Sequence, residues 1–306
     1  MTAHLMPDDI RVFERGWLSS NNILLLSPES SALVDSGYVT HAPQTLALLE
    51  SVLLERSLSL LVNTHLHSDH CGGNAALQAH YPSLRTLIPP GHADAVRHWD
   101  AMTLTYTPTG QACPPFHFSD TLKPGQSLRL GARDWLVHAA PGHDPHSVIL
   151  FEPELRLLIS ADALWQNGFG VVFPEIEGIA AFDEVGATLD LIESLQPRVV
   201  IPGHGAPFHE VAAALDTARR RLAQFRADPQ RHARHAAKVL LKFKLLELQR
   251  VTLDDFQDWI TQTSYLTLLH HTHFADTDFA HWCEDLLQDL VRASAARIEA
   301  PYLLNQ

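Results

Sequence analysis

The strongest constraint on the fold of this chain is a run of metal-ligand side chains directly after a predicted buried strand. The apolar run 58–63 predicts the strand, and the next ten residues read Thr-His-Leu-His-Ser-Asp-His-Cys-Gly-Gly. Alternate side chains of an extended backbone point to one side, so His65, His67 and Asp69 would converge on one point. His70 follows at once, and the closing glycines permit a tight turn. This spacing predicts a metal site, which a chance grouping of histidines explains poorly.

Three further ligand-type residues stand just after predicted strands. The runs 135–139, 155–160 and 198–201 lead into His143, Asp162 and His204, respectively. Loops at strand ends are where a rigid scaffold presents functional side chains. Each residue alone reads as an ordinary turn residue, but their order after the histidine motif indicates that all belong to one site.

A change in composition near residue 210 predicts two parts. All 15 glycines lie at or before Gly205. Residues 1–210 carry 10 Lys and Arg against 23 Asp and Glu, whereas the remainder carries 12 of each. Because a chain without glycine has few positive-φ turns, the remainder is predicted to be helical. We therefore expect a catalytic domain at 1–210 and a helical C-terminal domain at 211–306.

Secondary-structure patterns agree with this division. In the first part strands outnumber helices and come in consecutive groups, which favours stacked sheets flanked by helices. The predicted strands are 22–26, 32–35, 58–63, 86–88, 135–139, 147–151, 155–160 and 198–201, and the helices are 43–56, 74–80, 93–99 and 182–195. The second part predicts helices at 211–226, 231–249, 253–261, 265–273 and 278–298, with Thr252 and Asp255 in capping-box spacing.

Over about its first 205 residues the sequence resembles the metallo-β-lactamase-fold hydrolase superfamily. The family's His-x-His-x-Asp-His motif and its later histidine, bridging aspartate and final histidine match His65, His67, Asp69, His70, His143, Asp162 and His204. The resemblance implies an α/β (α+β) fold, an αββα sandwich, here with a C-terminal helical appendage. It also implies that His65, His67 and His143 bind one metal, that Asp69, His70 and His204 bind the other, and that Asp162 bridges. Asp35 matches an early strand-end aspartate of the family and would orient a ligand or a loop.

The donor set points to hydrolytic chemistry. Imidazoles and carboxylates without thiolates suit two divalent metal ions, for which we predict zinc, with iron or manganese as alternatives. The predicted reaction is hydrolysis of an ester, thioester or lactone by a metal-bound hydroxide, with Asp69 and Asp162 as the catalytic carboxylates. Trp165 stands where the family's acyl-homoserine lactonases have Tyr, which weighs against a lactone. The tail does not match the glutathione-binding residues of glyoxalase II.

Two segments bear on the substrate. The segment 100–120 is long and rich in Pro and Thr, and it forms either an active-site lid or a plain surface loop. Trp165, Phe169 and Phe173 follow the bridging aspartate and form either an apolar pocket wall or ordinary packing. If both segments flank the metals, the substrate is a small molecule with an apolar portion.

Two other function classes stay open. A nuclease or phosphodiesterase on the same site would use the basic residues of 219–250 to hold a nucleic-acid backbone. A ligand-binding signalling protein would have little turnover. Because these cations are dispersed along two helices beside an acidic half, we favour internal docking and expect no nucleic-acid partner. His270, His271 and His273 lack a carboxylate in ligand register and are not expected to form another metal site.

Cysteine usage and hydropathy bear on the compartment. The three cysteines are too far apart in sequence for a disulfide framework, and the first residues include acids without a signal-type apolar core. No apolar run reaches the length of a membrane span. We expect a cytoplasmic protein with no membrane contact.

Overall fold

The computed structural model of this protein describes residues 6–306, which contain three β-sheets. Sheet A has six strands in chain order: β1 (Ile10–Phe13), β2 (Asn22–Leu26), β3 (Ser31–Val34), β4 (Leu60–Val62), β5 (Arg85–Ile88) and β6 (Asp120–Thr121). Sheet B is formed by β7 (Ser127–Leu130), β8 (Arg133–Ala139), β9 (Val148–Glu152), β10 (Leu157–Ala161) and β11 (Val199–Pro202), in the order β11-β10-β9-β8-β7. Sheet C lies in the tail and contains β12 (Arg250–Thr252), β13 (Ala296–Glu299) and β14 (Tyr302–Asn305), with β14 in the middle.

Twelve α-helices occur in the described part of the chain. They are α1 (Ala42–Leu53), α2 (Ser68–Cys71), α3 (Asn74–His80), α4 (Ala93–His98), α5 (Tyr106–Thr109), α6 (Phe173–Ile176), α7 (Phe182–Leu195), α8 (Val211–Ala227), α9 (Pro229–Leu248), α10 (Leu253–Gln262), α11 (Ser264–His273) and α12 (Phe279–Arg292). Within residues 6–306, none of the helices combines the length and the apolar character needed to cross a bilayer.

Alternating side chains of the central strands build four layers. In β2, Ile23 and Leu25 pack in the core between sheets A and B, whereas Leu24 packs with α1 and α3 on the outer face. In β9, Leu150 faces the same inter-sheet core and Ile149 packs with α7 and α8. Because both faces of these strands are buried, their sequences are almost continuously apolar. The predicted αββα sandwich is confirmed.

All eight predicted strands are present, with ends within two residues of those predicted. The strands β1, β6 and β7 were not predicted. They are short and partly exposed, so few apolar residues mark them in the sequence.

The tail differs from the prediction at its end. The helix predicted over 278–298 is wrong beyond Arg292, where α12 stops. Ser294 has a left-handed φ of +54°, and the chain then enters β13, which pairs with β14. Ala296 and Leu303, from these two strands, are buried in the core of the tail. The C-terminal appendage therefore contains sheet C as well as helices.

The tail packs closely on the sandwich. Helix α8 shares a core with α7 and sheet B. Helices α9 to α12 share another core with sheet C, and Val171 from the loop after β10 and Ile176 at the end of α6 belong to it. Thr252 is the N-cap of α10, since the Asp255 backbone N–H donates to Thr252 Oγ1 at 3.1 Å, and the Thr252 hydroxyl donates to the Asp255 carboxylate at 2.6 Å. The boundary at residue 210 stays a prediction.

Candidate metal centre

The seven predicted ligand residues meet at one edge of the sandwich. His65 to His70 follow β4 and enter α2, while His143, Asp162 and His204 follow β8, β10 and β11. Gly72 and Gly73 permit the turn after the motif, since a Cβ on either would lie 2.5 Å from a backbone oxygen. Four separate loops thus present their side chains to one place.

The ligand atoms form two adjacent groups. In the first, His143 Nε2 lies 2.8 Å from His67 Nδ1 and 3.3 Å from His65 Nε2. The second contains Asp69, His70, Asp162 and His204, whose ligand atoms lie within 4.8 Å of one another. Asp162 lies between the groups, because its two oxygens are 3.5 Å from His143 Nε2 and 3.3 Å from His70 Nε2. Each group is compact enough to hold one metal ion.

Burial and unpaired nitrogen atoms fit metal binding. His65 and His70 are fully buried, and the Asp69 side chain is 14% exposed at the cavity. His70 Nε2 has no hydrogen-bond partner among the described residues, although an Asp162 oxygen lies 3.3 Å away. A buried polar atom without a partner is costly unless another ligand satisfies it. A divalent metal ion would be such a ligand, and the donor set of imidazoles and carboxylates suits it.

The two groups differ in their electrostatics. Burial, aided by the neighbouring imidazoles, holds the pKa of His65 well below its usual value, and burial lowers the pKa of His67 to about 4. Burial disfavours charge on His70 as well, but Asp162, Asp35 and Asp69 outweigh it and hold its pKa well above the usual value. Neutral His65 and His67 therefore present lone pairs in the first group, and an excess of carboxylates surrounds the second.

Two side chains of the site are oriented by residues behind them. Asp35 is buried, and its Oδ2 accepts from His70 Nδ1 at 2.7 Å. The backbone N–H and hydroxyl of Thr64 also donate to Asp35, at 2.9 and 2.8 Å. His143 Nδ1 donates to the Val171 carbonyl at 2.5 Å, which leaves Nε2 as the lone-pair nitrogen.

A cavity of about 440 Å³ opens beside both groups. Trp165 and Phe173, two of the three predicted pocket-wall residues, line it. Phe169 does not, because it is buried in the core with α7 and α8, so the alternative of ordinary packing holds there. Helix α9 supplies Val239, Leu240 and Phe243 to the lining. Much of the wall is therefore apolar.

The segment 100–120 contributes little to the cavity. Gln111 lines it and accepts from the Ser68 hydroxyl at 2.6 Å. Tyr106 is buried and donates to the Leu66 carbonyl at 2.9 Å, between two of the motif histidines. In this structure the segment supports the loop that carries the histidines and does not form a lid over the cavity.

Several residues at the site were not found from the sequence. Trp17 is 59% exposed and stacks on the ring of His204 at 5.3 Å, with 14° between the planes. Buried Asp144 lies 3.9 Å from His67 Nε2. Arg221 of α8 also lines the cavity. Trp17 and Arg221 carry no motif, and the cavity-facing residues of α9 show the same periodicity as core residues.

His270, one of the three tail histidines, contacts a backbone carbonyl and an aromatic ring. His270 Nε2 lies 2.7 Å from the Thr277 carbonyl, and the His270 ring packs on Trp282. Among residues 6–306, metal-compatible groups of three or more such side chains occur only as the two described above.

Comparison with known proteins agrees with this architecture. A family model described as the metallo-beta-lactamase superfamily matches residues 15–204. A hydroxyacylglutathione hydrolase of Brucella anthropi is 27% identical over 192 residues, which are 62% of this chain and 60% of that protein. An atrochrysone carboxyl ACP thioesterase of Aspergillus fumigatus is 22% identical over 278 residues, 89% of this chain and 76% of that protein.

A crystal structure of a metallo-beta-lactamase family protein from Thermus thermophilus covers 98% of this chain and 99% of its own, with a TM-score of 0.59 and 18% identity. The chain spans three fifths or less of the length of the first curated relatives that it matches. Because the family model covers more than half of the chain and ends at the last of the seven ligand residues, this protein belongs to the metallo-beta-lactamase superfamily.

Proposed function

We propose that the protein is a metal-dependent hydrolase that cleaves a thioester. The observation that carries the proposal is the meeting of two ligand groups, joined at Asp162, beside a largely apolar cavity. Two relatives support a thioester in particular, because one is named a hydroxyacylglutathione hydrolase and the other an acyl carrier protein thioesterase. Glutathione itself is not part of the proposal.

The seven residues would hold two divalent ions. His65, His67 and His143 would bind one, and Asp69, His70 and His204 the other, with Asp162 shared. Zinc suits these donors, and iron or manganese are the alternatives. When bound, such ions acidify water and polarise a carbonyl oxygen.

The chain's own residues have separate tasks. Asp69 faces the cavity, and its Oδ2 lies 3.1 Å from His204 Nε2, so this carboxylate is placed to hold a proton from the attacking water. That proton would pass to the thiol as the carbon–sulfur bond breaks. The apolar wall from α9 would hold the acyl chain and exclude bulk water.

The basic helices support a small-molecule substrate over a nucleic acid. Arg219 contacts Asp190 and Glu193 of α7 at 2.7 and 2.8 Å. Arg226 contacts Asp183 at 2.6 Å. Cations engaged within the protein are less available to phosphates. The free cysteines support a reducing, cytoplasmic setting, which is also part of the proposal.

A substrate panel tests the proposal. Zinc-loaded protein should hydrolyse thioesters faster than matched esters, lactones and phosphodiesters. Asp69→Asn and Asp162→Asn should each lower thioester turnover about 100- to 10,000-fold with unchanged circular dichroism. Asp216→Asn, on an exposed carboxylate of α8, is the control and should retain activity. Faster phosphodiester cleavage, or full turnover in both site variants, would contradict the proposal.

A further inference from the structure

We propose that Arg221 binds an anionic group of the substrate, so the hydrolysed compounds combine an apolar chain with a carboxylate or phosphate. This inference rests on the proposed function and deepens it. It assigns a specificity-determining residue on the tail, outside the proposed metal ligands.

Arg221 is held in a defined position at the cavity. It is partly buried on α8, and its Nη1 donates to the Phe169 carbonyl at 3.3 Å. The guanidinium also lies directly against Gly168, where a Cβ would be 2.6 Å from Nη1. Gly168 has a φ of +121°, so the loop after Asp162 is shaped to admit this side chain. The arginine is therefore packed against the loop that follows the shared aspartate.

The charge of Arg221 lacks an internal partner. Among residues 6–306, no carboxylate lies within 4.0 Å of it, whereas Arg219 and Arg226 on the same helix both form ion pairs. A guanidinium has five N–H donors, and the protein engages this one through a single bond to a carbonyl. Asp69 and Asp162 are the acidic residues that line the cavity, and both are assigned to the metals. The cavity thus has a cation with donors left for a ligand.

The surroundings suit an amphiphilic anion. Val239, Leu240 and Phe243 provide apolar contact on α9, next to the arginine on α8. His235 lines the same wall, and burial, followed by the charge of Arg221, lowers its pKa to about 4. A neutral His235 adds no competing charge and can share a hydrogen bond with the anion. Planar guanidinium groups bind carboxylates and phosphates through paired hydrogen bonds.

The anion has two chemical sources, the acyl chain or the thiol. Four thioesters distinguish them: an acyl chain ending in a carboxylate or in its methyl ester, each on a neutral thiol or on a thiol that carries a carboxylate. Arg221→Gln should raise KM about 10- to 100-fold for one class of anionic substrate, with kcat nearly unchanged. The fully neutral thioester should be unaffected. Arg221→Lys should raise KM less, since lysine keeps the positive charge but lacks the forked pair of N–H donors of a guanidinium.

Arg220→Gln is the matched control, because Arg220 is exposed and bonds only to Thr217 among the described residues. Calorimetry with zinc-loaded protein and non-hydrolysable thioether analogues provides a readout without turnover. If the wild type binds an anionic thioether more tightly than the neutral one, and Arg221→Gln abolishes this preference, the inference is supported. That support holds even if no thioester is hydrolysed, because absence of hydrolysis would count against the proposed function alone. Equal effects of Arg221→Gln on neutral and anionic compounds, or no effect on either anionic class, would overturn it.

Discussion

Replacement of Asp35 should damage the site without touching a proposed metal ligand. Its buried carboxylate accepts from His70 Nδ1 at 2.7 Å and from the Thr64 backbone and hydroxyl at 2.9 and 2.8 Å. Asp35→Ala leaves these donors without their acceptor. Loss of one partner from a buried charged pair costs about 3–5 kcal/mol, so we expect the free energy of unfolding to fall by about that amount.

Asp35→Asn separates charge from shape. Asn keeps an oxygen for the Thr64 N–H and tolerates the left-handed φ of +58° at this position, which Ala does not favour. Its amide nitrogen cannot accept from His70. The expected loss of unfolding free energy is therefore smaller, about 1.5–3 kcal/mol for one hydrogen bond to a charged group. Affinity for the metal bound through His70 should fall about 10- to 100-fold.

Urea unfolding of the metal-free protein measures the first effect, and metal titration against a competing chelator measures the second. Thr188→Val is the control, because it removes a single hydroxyl bond, to the Pro141 carbonyl at 2.8 Å, and involves neither Asp35 nor a proposed metal ligand. It should cost about 1 kcal/mol and leave metal affinity nearly unchanged. Wild-type metal affinity in Asp35→Asn would refute the idea that Asp35 positions His70.

Three other predictions concern metal content, pH and the tail. Metal analysis should approach two ions per chain, and His204→Ala should lower the number to about one; one ion in both proteins would contradict two sites. Burial lowers the pKa of His232 to about 3 from 6.5, so the folded state binds fewer protons between these values. The contribution of His232 to the free energy of unfolding is therefore largest above pH 6.5 and falls as the pH drops toward 3. His232→Gln should reduce the dependence of the urea unfolding midpoint on pH between about 7 and 5. An unchanged slope of midpoint against pH would argue against this role. Combined Arg219→Gln and Arg226→Gln should speed amide exchange in α8, and neither the wild type nor the double variant should bind nucleic acid. Salt-sensitive RNA binding by the wild type that the double variant lacks would favour a phosphodiesterase.

Local sequence patterns identified much of the sandwich and the residues of the candidate site. The strand before His65 and the strand ends before Asp162 and His204 are marked by short apolar runs. Strand period places alternate side chains on one face, and loops at strand ends gather at a sheet edge. These are short-range signals, so they can be recognised in the sequence without knowing which other elements pack against the strands. Assignment of the residues to two metals came from family resemblance.

The conformation at the end of the tail could not be predicted from such local patterns. The segment after Arg292 continues the amphipathic pattern of α12, yet Ala296–Glu299 is a strand. Its conformation depends on pairing with β14, whose residues reach back across a tight connection and also pair with β12. Strand pairing is a non-local interaction that overrides weak helix propensity.

The cavity was decided by tertiary structure. Trp17, Arg221 and Phe243 come from segments far apart in the chain, and they line one cavity because α8 and α9 pack over the loop after β10. The apolar period of α9 predicts that one face is covered, but a core and a cavity produce the same period. Sequence spacing determines which side chains share a face of one element. Which distant element lies opposite that face, and whether a gap remains between them, depends on the packing of the whole chain.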